Sequence, residues 1–171
     1  MISRVEQVSS VAAPAEHVWA RAITEEGINH ELGPWLRMTM PPGLRGKTVE
    51  DIEPGMRAGR SWILLFGLIP IEYDDLGLAE LEPGRRFLER SSMLTMRFWE
   101  HERTVEPAGD DWCTVTDRLG FDLRRPLALI PGSARLARRI VAALFRHRHR
   151  RLARAMSGRA ATSRAGGKLG G

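Results

Sequence analysis

Cysteine occurs once in the 171 residues, at Cys113, so neither an internal disulfide framework nor a cysteine-rich zinc site can form. A lone cysteine of this kind is expected to be a small apolar core group. Tyrosine also occurs once, at Tyr73. No apolar run is long enough to span a bilayer. The longest, WILLFGLIPI at 62–71, carries Gly and Pro, and the opening MISRVEQVSS lacks a signal-peptide core. A cytoplasmic protein is expected. There is no H-E-x-x-H, no G-x-G-x-x-G, no P-loop and no defensible Ser-His-Asp spacing. His147 and His149 are two apart on a helical stretch and point about 200° from each other, the wrong geometry for chelation. Neither a metal nor a cofactor is therefore expected. Acidic residues stop at Asp122: 1–122 hold all 21 of them against 13 Lys plus Arg, and 123–171 hold 13 Lys plus Arg alone.

What is present suits one domain. Hydrophobic residues make up 43%, enough for a core in a chain too short for two comfortable domains. ISRVEQVSSV (2–11) reads as a strand. Pro14 opens a helix with Ala15, Val18, Trp19, Ala22 and Ile23 on one stripe, capped by Gly27, and a second short helix follows over 28–33. From 35 to 123 the signals are strands joined by short turns, which predicts an antiparallel meander. A long helix spans about 133–156, with an apolar stripe including Leu136, Ile140, Leu144 and Leu152. The remainder, SGRAATSRAGGKLGG, is a basic Gly/Ser/Ala-rich tail expected to be disordered. The domain division is therefore 1–156 for the folded unit and 157–171 for the tail.

That order resembles the helix-grip fold of the START-like (SRPBCC) superfamily. VEQVSSVAAPAEHVWARAITEEGINHELGPWLRMTMP is similar to the opening of its polyketide cyclase/dehydrase-like branch. WEHERTVEPAGDDWCTVTDRLGFDL followed by FRHRHRRL resembles a bacterial ligand-binding subgroup. The likeness covers about residues 3–155. It implies an α+β fold with about six to seven curved antiparallel strands wrapped around the C-terminal helix, and two short helices after the first strand. It also implies a cavity for a small hydrophobic ligand (a lipid, polyketide or aromatic metabolite), but no single chemistry.

MRFWEHERTVEP (96–107) poses the sharpest question, because charges alternate onto both faces. Trp99 and His101 are expected inward, since Glu100 and Glu102 are more comfortable in water; an inward Arg97 or Arg103 would then need a partner. Asp117 shares a face with Cys113, Val115, Leu119 and Phe121, so it too needs a partner. Arg148 and Arg151 fall inside the apolar stripe of the last helix, and a structural ion pair of Asp117, or failing it Glu100 or Glu102, with one of them would pin that helix to the sheet. The expected ligand wall is Trp62, Leu64 and Phe66 or their alternates, with Trp99, Phe121, Ile140 and Leu144, and His101 and Tyr73 as polar contacts. Two other functions stay open. One is a cyclase- or dehydratase-like enzyme using His101 or Asp117. The other is an adaptor whose basic helix meets anionic lipid or RNA. No aromatics interleave with those arginines, which argues against nucleic acid and leaves an anionic membrane surface as the better partner.

Overall fold

The computed structural model describes the backbone of residues 2–166 and the side chains of residues 2–158. Seven antiparallel strands form one sheet: β1 (Ser3–Val11), β2 (Leu36–Met38), β3 (Arg57–Leu65), β4 (Ile69–Glu82), β5 (Arg86–Met93), β6 (Met96–Pro107) and β7 (Cys113–Leu123). Their order is β1-β7-β6-β5-β4-β3-β2, so β3 to β7 form the expected meander and β1 closes on β7. Register shifts in the β3–β4, β4–β5 and β6–β7 ladders bend the sheet into a half-barrel. At the β4 bend, Gly77 is obligatory: a Cβ there would meet the Arg90 carbonyl oxygen at 2.6 Å.

Two short helices follow β1, as expected: α1 (Ala15–Ala22) and α2 (Glu25–Leu32). Their junction differs from the sequence reading. Gly27 lies inside α2, where its N–H donates to Oγ1 of the capping Thr24 at 3.0 Å. The Thr24 side chain competes for the backbone there and starts a new helix before Gly27 can end the old one. A Cβ at 27 would lie 1.8 Å from the Arg21 carbonyl oxygen, which is why only glycine fits. The last helix, α3 (Ser133–Gly166), lies in the sheet's hollow and completes the helix-grip arrangement. It runs past Met156, where its apolar periodicity ends; residues 167–171 of the expected tail lie outside the described residues.

The core is layered along the axis of α3. One apolar cluster holds Val11, Val18, Trp19, Phe87, Val105, Cys113, Val115, Leu152 and Met156. The other holds Met93, Trp99, Leu119, Phe121, Val141 and Phe145. Between them lie buried polar residues. Along β6 the inward residues read Trp99, His101, Arg103, Val105; along β7 they read Phe121, Leu119, Asp117, Val115; along α3 they read Phe145, Arg148 and His149, Leu152. Three elements thus place charge at the same depth. Trp99 and His101 do face inward, and Glu100 and Glu102 form outer-face ladders with Arg90, Arg86 and Arg118. Among the described residues no helix is long and apolar enough to cross a membrane.

Candidate functional site

The buried polar layer centres on Arg103, which is 1% exposed. Its partner Asp117 is directly opposite on β7, because the β6–β7 register pairs these two residues. Arg103 Nε and Nη2 donate to the two Asp117 oxygens at 2.8 and 2.7 Å. Its Nη1 and Nη2 reach Glu31 of α2 at 2.8 and 3.0 Å. Arg148 adds a second guanidinium to Glu31, with Nε at 3.1 Å. His101 Nε2 and His149 Nε2 each meet Asp117 at 2.9 Å. Asp117 therefore accepts four hydrogen bonds and is fully satisfied without water. Burial would raise its pKa, but the Arg103 guanidinium outweighs that and holds the carboxyl well below the usual range. Glu31 is likewise held low, against burial, by Arg103 and Arg148.

Asp117 does have a buried cationic partner, but it is neither Arg148 nor Arg151. Arg103 is one strand away in register, whereas Arg148 overlies α2 and takes Glu31. Arg151 donates to the His30 carbonyl at 2.8 Å, satisfying an oxygen that the end of α2 leaves without a helical partner. The two arginines therefore tie α3 to α2, while His149 ties it to the sheet through Asp117 and Ser9. Glu31 was missed because a glutamate in a short helix looks solvated in sequence; its place under Arg103 is a tertiary fact.

Beside this layer is a cavity of about 100 Å³. It lies between α1–α2, the inner face of β4–β6 and the segment 38–52 that folds back over the sheet. Ile23, Ile28, Leu78 and Phe87 supply walls, and Met40, Leu44, Val49 and Ile52 cover it. Glu89, His101 and Arg148 supply polar lining from the sheet and α3, and Glu25, Lys47 and Thr48 supply it from α2 and the covering segment. His101 Nδ1 is 3.8 Å from Glu89 Oε2, so its ring bridges Glu89 and Asp117. Burial depresses the His101 pKa, but the Asp117 carboxylate and these hydrogen bonds more than reverse it, so the net shift is upward. Behind Glu89, Asp74 is 3% exposed, and its Oδ1 has no hydrogen-bond partner. Burial, then the Glu89 charge, raise its pKa to about 9, so the pair shares one proton, carried by Asp74.

Of the residues expected to line a ligand site, only His101 borders this cavity. Trp99 and Phe121 are buried within the second apolar cluster, and Leu144 packs against it, so that part of the hollow is filled. Trp62 and Tyr73 pair across β3–β4 with rings 5.8 Å apart on the outer face, while Ile63 takes the inward place. Leu64 lies one residue beyond Ile63, past the register shift, and Phe66 is exposed at the β3–β4 turn. Ile140 is 59% exposed because α3 turns Val141 and Phe145, not Ile140, to the sheet. The covering segment was missed because residues 35–123 read as strands joined by short turns, although Leu44, Val49 and Ile52 recur through it. Among the described residues no His, Cys, Asp and Glu cluster could hold a metal ion.

A family described as a domain of unknown function (DUF8410) matches residues 9–156. The chain belongs to that family. No curated protein matches it. Solved structures share the architecture. The Zhui aromatase/cyclase from Streptomyces sp. R1128 is 15% identical with a TM-score of 0.69, covering 94% of this chain and 96% of that one. A START superfamily protein from Mycobacterium smegmatis is 11% identical, TM-score 0.65, covering 91% and 97%. The di-domain ARO/CYC StfQ of the steffimycin pathway is 10% identical, TM-score 0.63, covering 94% of this chain and 52% of that one. This DUF8410 domain therefore has a START-like, polyketide-cyclase-like fold.

Proposed function

We propose that the chain binds a small, largely apolar molecule in the cavity beneath segment 38–52. One observation carries the reading: the lining of an apolar chamber includes Glu89, His101 and Arg148, three ionisable groups held by partners behind them. Apolar walls with a few fixed polar groups are the usual composition of a ligand site. The free volume of about 100 Å³ is that of about three water molecules. A ligand much larger than one ring, such as a lipid or polyketide, requires the covering segment to move outward. Glu89 accepts a hydrogen bond from the ligand, and the cations beside it favour a carbonyl or carboxylate.

The enzyme reading is weaker. Asp117 does not border the cavity, and its Arg103 pair keeps it ionised, so it cannot supply a proton. His101 has a carboxylate at each ring nitrogen and acts as a hydrogen-bond donor rather than a base. A cyclase- or dehydratase-like reaction would have to use its imidazolium as an acid.

The test is native mass spectrometry of freshly purified protein, with titration of an anilinonaphthalene-type dye. One saturable site per chain is expected, with Ile28→Trp weakening the dye at least tenfold at unchanged melting temperature. A wild type with no saturable site, or a variant that binds equally well, removes the proposal. Turnover of a cyclisable polyketide mimic, lost in His101→Asn with binding kept, would establish the enzyme instead.

A further inference from the structure

The strand registers bring five chain segments to one rim of the half-barrel. Ser3 pairs with Phe121, Met96 with Leu123, Asp74 with Met93, Ile69 with Leu65 and Leu65 with Leu36. The start of β1, the β3–β4 and β5–β6 turns, the start of β2 and the approach to α3 therefore share this rim. Arg124 fixes that approach, its N–H donating to the Thr95 carbonyl at 2.9 Å and its Nε to the Met93 carbonyl at 2.8 Å.

This rim is apolar on the outside. At the β3–β4 tip Leu68 is 82% exposed, flanked by Trp35, Phe66 and Ile69, each more than half exposed. Leu94 of the β5–β6 turn is half exposed. Leu129, Ile130, Leu136 and Ile140 extend the surface along the approach to α3 and its first turns. The opposite rim exposes only Met56 and Trp112 among the described large apolar residues. So one-sided a distribution is not the scatter of single apolar residues that any surface carries.

Exposed charge at the same rim is mainly basic: Asp122, which shares it, is bound by exposed Arg97 at 3.0 Å, and Glu6, which lies beside Arg135 and Arg139, is bound by Arg118. Arg37, Arg125, Arg135 and Arg139 are exposed around the apolar tips, and no acidic residue follows Asp122. Glu72, beside the β3–β4 tip, is occupied by the backbone N–H groups of Leu94 and Thr95. Apolar side chains ringed by arginine match the boundary between lipid headgroups and acyl chains.

We propose that this rim docks on a membrane surface containing anionic lipid, with the β3–β4 tip and the Leu129–Ile130 turn entering the headgroup layer. It goes beyond the ligand site, from which the rim is separated by the filled cluster around Trp99, Phe121 and Phe145. It also assigns membrane contact to a sheet rim rather than to the whole basic helix, whose Arg148 and Arg151 point inward. A two-fold contact with a second copy would bring the same arginines face to face. For nucleic acid the aliphatic tips would be idle, and Trp35 and Phe66 are already engaged with each other edge to face at 6.0 Å.

The experiment is co-sedimentation of the full chain with phosphatidylcholine vesicles, with and without about one-third phosphatidylserine, at low and physiological salt. Binding to the anionic vesicles at least tenfold tighter than to neutral ones is expected. Leu68→Asp with Ile69→Asp should weaken it a further tenfold or more, and Arg135→Glu with Arg139→Glu should remove the preference for anionic lipid. These positions are exposed, so melting temperatures should stay put. Equal retention of wild type and the Leu68/Ile69 variant overturns the proposal, as does no binding to either vesicle. A wild-type dimer that the Leu68/Ile69 change dissociates would assign the rim to self-association instead. RNA binding that this change leaves intact, without vesicle binding, would assign the arginines to nucleic acid.

Discussion

Replacing Arg103 with Met keeps most of the side-chain length and removes the charge that two buried carboxylates share. Glu31 and Asp117, both 0% exposed, would lose four of their hydrogen bonds together. Removing one partner of a buried ion pair typically costs about 3–5 kcal/mol. Two carboxylates depend on this one guanidinium, which argues for the top of that range. Arg148 still serves Glu31, and His101 and His149 still serve Asp117, which moderates it. For a chain of this length each kcal/mol lowers the melting temperature by about 2–4 °C, so a fall of about 10–15 °C is expected. Urea unfolding followed by tryptophan fluorescence measures the free energy directly.

The pH dependence separates electrostatics from packing. The Glu31 and Asp117 pKa values are depressed in the folded wild type, so their stabilisation is present above about pH 4, their unfolded range, and is lost as pH falls through the folded values. The gap between wild type and Arg103→Met should be full at pH 7 and narrow in acid. Adding Glu31→Gln and Asp117→Asn to Arg103→Met should restore much of the loss at neutral pH. A deficit below about 1 kcal/mol, or one constant from pH 7 to pH 3, would refute the argument, since a void alone does not titrate.

Asp74→Asn should stabilise the fold at pH 8 and change little near pH 4. The folded protein keeps the Asp74 proton up to about pH 9, whereas the unfolded chain releases it near pH 4, so wild-type stability declines across that window; parallel pH–stability curves would contradict this. His101→Gln should follow the same direction with pH from the opposite sign, its deficit full below about pH 6.5 and shrinking as pH rises through the raised pKa of the folded wild-type ring, as chemical denaturation over a pH series would reveal. Phe145→Ala removes a 1% exposed ring from beside Trp99 and His101 and should cost about 3–5 kcal/mol, measurable by urea titration.

The arrangement of elements was legible because period-2 and helical patterns are local. β7 alternates Cys113, Val115, Asp117, Leu119 and Phe121, and all five are buried. The anomaly at Asp117 was legible too, since a carboxylate on an apolar face demands a partner wherever it is. Which partner was not, because the Arg103–Asp117 pairing follows from strand register, and register depends on turns and bulges far from either residue. The apolar stripe of α3 misled for a related reason. Periodicity marks every residue on one side of a helix, but the sheet covers only the part facing Val141, Phe145 and Leu152, and the first two turns overhang the rim. Leu136 and Ile140 are left outside for that geometric reason. The cavity moved for the same cause: large side chains predicted to surround a void instead filled it.

The band of ions across the middle of the hollow also limits how the polypeptide can be misassembled. Oil tolerates sliding, because one aliphatic contact resembles another, but salt does not. If α3 shifted by a single turn, Arg148 would be driven among the rings of Trp99 and Phe121 while Glu31 lost one of its two guanidinium partners. The strands face a similar constraint, since a two-residue slip keeps every side chain on its proper face yet parts Arg103 from Asp117. Greasy layers above and below supply adhesion, and the charged stratum makes one alignment the only seat.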